Sequence, residues 1–213
     1  MAMKPLSPNT LHVVIDMQRI FAEETAWHTP AIAGILPNVV LLSEMFAAAT
    51  LFVKFMLPQS SEQATGTWRG YYDRWSTMTL DAIDPGMQDL VEPLQRLATA
   101  DNQIEKLGYS VFGSSAFLEI LAKRNVDTIV FTGVETDVCV YSSVLDAVDI
   151  GLRVVIVADA VASSDAAAHD AVLTVLAPHL SDQIEIATTQ SVEQAWSNVG
   201  KTERHAQSRQ GSD

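Results

Sequence analysis

The chain has 213 residues, 48% of them hydrophobic, a length and composition that fit one α/β domain with a substantial core. Its formal net charge of −13 would repel a nucleic-acid backbone and an anionic membrane surface, so we expect neither as a partner. The single cysteine excludes an internal disulfide, and no apolar run approaches the roughly 18 residues of a membrane span. Because no signal-peptide pattern follows Met1, we expect a cytoplasmic protein.

Short segments rich in Val, Ile and Phe alternate along the chain with longer amphipathic segments. The predicted strands are residues 11–15, 51–55, 103–107, 128–131, 153–157 and 183–187. The predicted helices are residues 37–49, 86–98, 115–124, 136–150, 165–176 and 191–198. Nearly continuous apolar strands are typical of a sheet covered by helices on both faces. The alternation predicts an α/β fold: a doubly wound, Rossmann-like three-layer sandwich with a six-stranded, mainly parallel sheet.

Two segments fall outside this alternation. Residues 57–85 form a long polar stretch that is rich in aromatic side chains. A segment of this kind is either a lid over a site, or its rings pack onto the domain or a neighbouring subunit, and both interpretations stay open. Residues 201–213 are polar without periodicity, which predicts a disordered tail after a domain spanning residues 1–200.

Three reactive side chains lie at or just past predicted strand ends. Asp16 follows an apolar run, Lys106 lies at the end of the third predicted strand, one residue before its last, and Cys139 lies in the first turn of the helix after the fourth. Doubly wound sheets bind ligands at the carboxyl ends of their strands, where these three side chains can meet. The N–H groups and positive dipole end of a helix N-terminus favour a thiolate, which predicts a lowered pKa for Cys139.

Three motifs carry a family resemblance. They are VIDMQ (residues 14–18) with Phe21, Lys106 with Tyr109, Ser110 and Phe112, and TGVETDVCV (residues 132–140). In these motifs the chain resembles the isochorismatase-like cysteine hydrolases, which include nicotinamidases, N-carbamoylsarcosine amidohydrolases, biuret hydrolases and ureidoacrylate hydrolases. The resemblance spans residues 11–192 and implies hydrolysis of a C–N bond in a small non-peptide amide, ureido or carbamoyl compound, without a cofactor.

The resemblance also implies a role for individual residues. Asp16, Lys106 and Cys139 would form a catalytic triad, in which Cys139 attacks the carbonyl carbon and Lys106 stabilises charge. Asp16 would accept the thiol proton, deliver it to the departing nitrogen and then activate water against the thioester. A cis peptide bond between Val134 and Glu135 would aim the backbone N–H groups of Glu135 and Cys139 at the developing oxyanion.

The sequence departs from the nicotinamidase branch of that superfamily, which binds a metal through an Asp-x-His pair and another histidine. The equivalent stretch here is FMLPQS (residues 55–60), and we therefore expect no metal. The five histidines lack ligand spacing: His12, His28, His169, His179 and His205. We interpret His12, within a strand, and His169, within an amphipathic helix, as structural residues.

Substrate-binding residues are predicted near the strand ends and in residues 57–85. They are Gln18, Phe21, Trp68, Tyr72 and Phe112. Arg69 and Arg74 offer bidentate contacts for a substrate carboxylate, although solvated or subunit-facing arginines are the more frequent case. The resemblance further implies a homo-oligomer, either a dimer or a tetramer, that acts on a small-molecule substrate.

Two other functions remain open at this stage. The chain could be an isochorismatase-type hydrolase of a vinyl ether, in which Asp16 protonates the substrate and Cys139 is incidental. Cys139 argues against this alternative, because the isochorismatases of the superfamily lack the nucleophilic cysteine. The second alternative is a non-catalytic protein that binds a small molecule or senses redox state through its thiol.

Overall fold

One β-sheet organises residues 3–197, the part of the chain that this computed structural model describes. Its strands are β1 (Thr10–Ile15), β2 (Thr50–Phe55), β3 (Gln103–Lys106), β4 (Thr128–Val134), β5 (Arg153–Ala162) and β6 (Ile184–Ala187). They pair in the order β3-β2-β1-β4-β5-β6, and every pair is parallel. The α/β fold is confirmed, and the sheet that was predicted to be mainly parallel is entirely so.

The helices connect successive strands. They are α1 (Arg19–Ala22), α2 (Ile32–Met45), α3 (Trp68–Arg74), α4 (Glu92–Gln95), α5 (Ser115–Lys123), α6 (Tyr141–Asp149), α7 (Ala166–Ala171), α8 (Ala177–His179) and α9 (Thr189–Ser197). Two π-helical segments, Thr136–Val140 and Val172–Leu176, lead into α6 and α8. Within the described residues, no helix combines the length and the hydropathy needed to cross a membrane.

Each face of the sheet has its own apolar core, because alternate strand residues point to opposite faces. On one face Val14 packs in a cluster with Val39 of α2. On the other face Val13 belongs to a cluster with Phe117 of α5 and Val144 of α6. Full burial of one such side chain contributes about 1.5–3 kcal/mol, so the two clusters hold the helices against the sheet.

The predicted helix at residues 86–98 is wrong over most of its length. The chain forms a 3₁₀ turn at Pro85–Gln88 and then only the short helix α4. Between them the Val91 N–H donates to the carbonyl of Met17 (2.9 Å), so this stretch pairs with the segment after β1 instead of coiling. Pro93 has no N–H to donate and would clash with the preceding turn of a longer helix, which explains the interruption.

Residues 57–85 fold against their own domain. Leu57, Tyr72 and Met78 are buried in a third apolar cluster together with Ile20. The segment therefore covers the carboxyl end of the sheet, and its role as a lid or as a subunit contact stays a prediction. The predicted tail at residues 201–213 lies outside the described residues, as does the last residue of the predicted helix at 191–198.

Strands β1 and β4 approach each other closely at their carboxyl ends. Gly133 pairs with Ile15 and has a φ of +106°. A Cβ atom on Gly133 would lie 2.0 Å from the carbonyl oxygen of Ile15, so only glycine fits there. The strand order reverses between β1 and β4, which is the position where doubly wound sheets bind ligands.

Candidate active site

Two of the predicted triad residues form a buried ion pair at this end of the sheet. The Lys106 Nζ atom lies 2.8 Å from Oδ2 of Asp16, and their side chains are 0% and 1% exposed. Nζ also donates to the carbonyl of Gly108 at 3.1 Å. Oδ1 of Asp16 is buried and has no hydrogen-bond partner among the described residues. One carboxylate oxygen is therefore engaged by the ammonium, and the other is left for a proton.

The backbone at Asp16 turns sharply as it leaves β1. Asp16 has a φ of 52°, in the left-handed region that non-glycine residues seldom occupy. Its N–H donates to the carbonyl of Val53 on β2 (3.0 Å), and its carbonyl accepts from the Gln18 N–H (2.8 Å). These two hydrogen bonds fix the turn and direct the carboxylate towards Lys106.

Cys139 lies in the π-helical turn that follows β4, where the sequence predicts a helix start. The residue is 7% exposed, and its carbonyl accepts a hydrogen bond from Oγ of Ser143 on α6 (2.7 Å). In the same turn, Oγ1 of Thr136 lies 2.9 Å from Nδ1 of His169. The Val134–Glu135 peptide bond, four residues before the cysteine, is cis. Both sides of the turn are thus anchored to neighbouring helices.

The thiol is close enough to Asp16 and Lys106 to be coupled to both, but the predicted direction of its pKa is wrong. Burial, and then the negative charge of Asp16, raise the pKa of Cys139 well above its ordinary value, against the opposing effect of Lys106. A helix N-terminus favours the thiolate, but desolvation outweighs it here. In the resting protein the proton therefore stays on sulfur.

Both members of the ion pair have a raised pKa, but the causes are opposite. Burial raises the pKa of Asp16, although the Lys106 ammonium opposes this effect. For Lys106, burial acts to lower the pKa, but the interactions with Asp16, and then with Cys139, together outweigh it, so the pKa of Lys106 is raised. The lysine therefore stays charged, and Asp16 is a stronger base than an exposed aspartate.

Beside these residues lies a cavity of about 380 Å³, within the range of small-molecule sites. Its lining residues are Phe21, Ala26, Trp27, His28, Phe55, Tyr71, Trp75, Tyr109, Glu135, Val138, Cys139 and Ser164. The cysteine thus has access to a space of substrate size. Asp16 and Lys106 lie behind it, out of contact with solvent.

Four of the five predicted substrate-binding residues lie away from this cavity, and only Phe21 lines it. Gln18 is buried, and its amide bonds with the backbone of Phe55 and with the carbonyl of Gln88, so it braces the fold. Phe112 packs edge-on against Phe117 in the core, with ring centroids 5.1 Å apart. The Gln18 amide is thus used within the fold, whereas Phe112 is only partly buried against the core, and a substrate contact by either residue stays a prediction.

Trp68 and Tyr72 line an adjoining cavity of about 220 Å³ instead. The Trp68 ring packs against Tyr109, with centroids 4.8 Å apart, and so supports the wall of the larger cavity from behind. Sequence reasoning missed the neighbouring Tyr71 and Trp75, which do line the larger cavity. The i, i+3, i+7 spacing of Trp68, Tyr71 and Trp75 is a helical signal that would have placed the last two on one face.

The four described histidines, His12, His28, His169 and His179, are not grouped as metal ligands. Among residues 3–197, no group of three or more His, Cys, Asp or Glu side chains is arranged to hold a metal ion. His12 is buried between the hydroxyls of Thr50 (3.1 Å) and Thr132 (2.9 Å), and burial lowers its pKa to about 3. His12 therefore acts as a neutral link between three strands.

The family model for the isochorismatase domain matches residues 10–189. The chain belongs to the isochorismatase family. This result confirms the resemblance to the isochorismatase-like cysteine hydrolases. Among solved structures, the cysteine hydrolase from Pseudomonas syringae pv. phaseolicola 1448A superposes with a TM-score of 0.74 at 25% identity, covering 92% of this chain and 98% of that one.

Two curated relatives of this family member carry functional names. A probable inactive nicotinamidase of Arabidopsis thaliana is 28% identical over 167 residues, which is 76% of this chain and 85% of that protein. The ureidoacrylate amidohydrolase RutB of Pseudomonas savastanoi pv. phaseolicola is 33% identical over 86 residues, but this match covers only 40% of this chain and 30% of that protein. The relatives thus include a named amidohydrolase and a protein that is named as inactive.

Proposed function

We propose that this isochorismatase-family protein is a cysteine hydrolase that cleaves a C–N bond in a small non-peptide amide, ureido or carbamoyl compound. One observation carries the proposal: the single cysteine opens onto a cavity of about 380 Å³ and is backed by the buried Asp16–Lys106 pair. A nucleophile, a proton acceptor and a fixed positive charge are the groups that acyl transfer through a thioester requires. The amidohydrolase among the relatives supports this choice of bond.

In the first half-reaction, the Cys139 sulfur attacks the carbonyl carbon while Asp16 takes the thiol proton. The resting thiol is neutral because burial and Asp16 raise its pKa, so deprotonation is coupled to attack. Lys106 stays charged and offsets the negative charge that develops. We assign the oxyanion to the backbone N–H groups of Glu135 and Cys139. Asp16 then gives its proton to the nitrogen of the tetrahedral adduct, the C–N bond breaks, an amine or ammonia leaves, and the thioester remains.

In the second half-reaction, the ionised Asp16 takes a proton from water as the water oxygen attacks the thioester carbonyl. The C–S bond breaks, the proton returns from Asp16 to sulfur, and the carboxylic or carbamic acid leaves. The sum is hydrolysis of one C–N bond by one water. Oδ1 of Asp16 suits this role, since it is buried without a hydrogen-bond partner in the described part of the chain.

The test is a screen for ammonia release from small amides, ureas and carbamoyl acids, followed by variants of the cysteine. For any substrate found, we expect Cys139→Ala to lower kcat/KM by at least about 10³-fold, because no other nucleophile replaces the sulfur. Mass spectrometry of the quenched wild-type enzyme should detect an acyl adduct on Cys139. Ser142→Ala, which removes a similar side-chain atom three residues away, is the matched control. Full turnover by Cys139→Ala would overturn the mechanism.

A binding protein is the second candidate, because one relative is named as a probable inactive nicotinamidase. Calorimetry combined with product analysis distinguishes a binding protein from a hydrolase. A binding protein would give saturable binding of an amide by calorimetry with no product and no acyl adduct, and the Cys139→Ala variant would bind equally well. Hydrolysis of a vinyl ether that survives alkylation of Cys139 would instead identify an ether hydrolase that uses Asp16.

A further inference from the structure

We propose that Glu135 and the aromatic wall of the cavity select substrates whose end remote from the scissile carbonyl carries a cationic nitrogen, and that they disfavour carboxylates. This inference rests on the proposed function for its choice of ligand, a small amide. It concerns the charge of the remote group, which the triad residues do not determine.

Glu135 places a fixed carboxylate on the cavity wall. Its Oε1 atom accepts hydrogen bonds from Oγ1 of Thr29 and from the N–H of Ser164, each at 2.9 Å. Thr29 lies in the segment before α2 and Ser164 in the segment after β5, so three stretches of chain hold this carboxylate. Oε1 accepts both of these hydrogen bonds. The second oxygen, Oε2, keeps its acceptor capacity for a ligand.

The rest of the wall is mainly aromatic. Six rings line the cavity: Phe21, Trp27, Phe55, Tyr71, Trp75 and Tyr109. Trp27 joins several of them, with centroids 6.0 Å from Phe21, 5.8 Å from Tyr71 and 6.0 Å from Phe55. The faces of such rings attract cations, and the attraction is strongest where water is excluded. Protein cations already lie over Phe55 and Trp75, so a cationic nitrogen in this cavity would gain from the other rings and from the carboxylate.

No lysine or arginine is among the described residues that line the cavity. The Lys106 ammonium lies over the Phe55 ring, 4.8 Å from its centroid, and is bound to Asp16 and Gly108. The Arg74 guanidinium lies over the Trp75 ring at 5.2 Å, but Arg74 is exposed and outside the lining. A substrate carboxylate would thus face Glu135 with His28 as the one basic side chain in the described lining, in a protein of net charge −13.

Three benzamides that differ only in the para group test this selectivity. They are 4-(aminomethyl)benzamide, a cation at pH 7, the neutral 4-ethylbenzamide, and 4-carboxybenzamide, an anion. Their dissociation constants are measured with Cys139→Ala, which binds without turnover, by calorimetry and by quenching of tryptophan fluorescence. We expect the cation to bind about tenfold more tightly than the neutral amide, and the anion to bind more weakly than both.

Glu135→Gln in the Cys139→Ala background tests the carboxylate itself. The glutamine keeps an Oε1 acceptor for Thr29 and Ser164, so the wall is preserved while the charge is removed. We expect the ratio of cation to anion affinity to fall about tenfold, which is about 1.4 kcal/mol. Glu119→Gln, which removes an exposed carboxylate on α5, is the control and should keep the ratio.

The outcomes separate this inference from the proposed function. Equal binding of all three amides, tightest binding of the anion, or no binding would overturn the selectivity, and an unchanged ratio in Glu135→Gln would overturn the role of Glu135. If the variants show the expected charge order but the wild-type protein hydrolyses none of the amides, the proposed hydrolysis fails and the selectivity stands. If the wild-type protein hydrolyses the anion fastest, the proposed hydrolysis stands and the selectivity for a cation fails.

Discussion

His12 and Asp16 both come from the first strand segment, and both carry a buried titratable side chain. The imidazole of His12 meets only the neutral hydroxyls of Thr50 and Thr132. The carboxylate of Asp16 meets the Lys106 ammonium and lies next to the Cys139 thiol. For His12, burial alone lowers the pKa, whereas at Asp16 burial and a neighbouring charge act in opposite directions.

The difference shows how burial changes the pKa of a side chain that has only neutral neighbours, and how it changes the pKa of one that lies beside a charge. A buried group with neutral partners is held in its uncharged form, and His12 is accordingly inert across the neutral pH range. A buried group paired with an opposite charge stays available for proton transfer, and the Cys139 thiol is close enough to Asp16 to influence its titration. Reactivity at this end of the sheet thus comes from the partners and the adjoining cavity.

We expect the largest effect on kcat/KM when the proton acceptor Asp16 is removed. We expect Asp16→Asn to lower kcat/KM by about 10³-fold, within the range for general acid–base groups, because the thiol then has no base. The same change leaves the Lys106 ammonium buried without its partner, which costs about 3–5 kcal/mol of folding free energy. Steady-state kinetics and urea unfolding measure the two losses separately.

The double variant Asp16→Asn with Lys106→Met distinguishes these two losses. Replacing both members removes the unpaired buried charge, so we expect the free energy of unfolding to recover while kcat/KM stays low. Recovery of activity together with stability would mean that neither Asp16 nor Lys106 takes part in the chemistry.

The buried His12 should make the free energy of unfolding depend on pH in the acid range. Its pKa is lowered to about 3 in the folded protein, while an unfolded histidine titrates near 6.5. The neutral His12 side chain therefore contributes its full share to the free energy of unfolding above pH 6.5. This contribution is lost as the pH falls towards 3, by up to about 1.4 kcal/mol per pH unit. Urea unfolding between pH 7 and 4 should show this slope.

His12→Gln should lose that component of the slope, since glutamine does not titrate. His179→Gln, which removes an exposed imidazole on α8, is the control and should keep the wild-type slope. Equal slopes in all three proteins would contradict a buried, neutral His12.

The smallest expected effect is a displacement of the pH–rate profile. Asp16 must be ionised to accept the thiol proton, so kcat/KM falls as the pH drops through its pKa. Because burial raises that pKa, we expect the midpoint of the acid limb above the ordinary aspartate value of about 3.9. The midpoint belongs to the coupled group of Asp16, Lys106 and Cys139. A midpoint at or below 3.9, or one that moves in His12→Gln, would contradict this assignment.

The sequence by itself determined the strands, their parallel arrangement and the three reactive residues at their ends. These features depend on contiguous residues: apolar runs of four to six residues between amphipathic helices, and polar residues just after them. The motif around Cys139 was sufficient to identify the family, because the residues that shape this turn are adjacent in the chain.

The tertiary structure alone decided the direction of the Cys139 pKa, the bracing role of Gln18 and the composition of the cavity wall. Each depends on residues that are distant in sequence. The thiol lies near the carboxylate of Asp16 in the turn after β1, the Gln18 amide bonds with the backbone of Phe55 and Gln88, and the wall combines rings from several segments. Local patterns indicate which side chains tend to be buried, but the charge and space around a buried group are set only when separate segments come together.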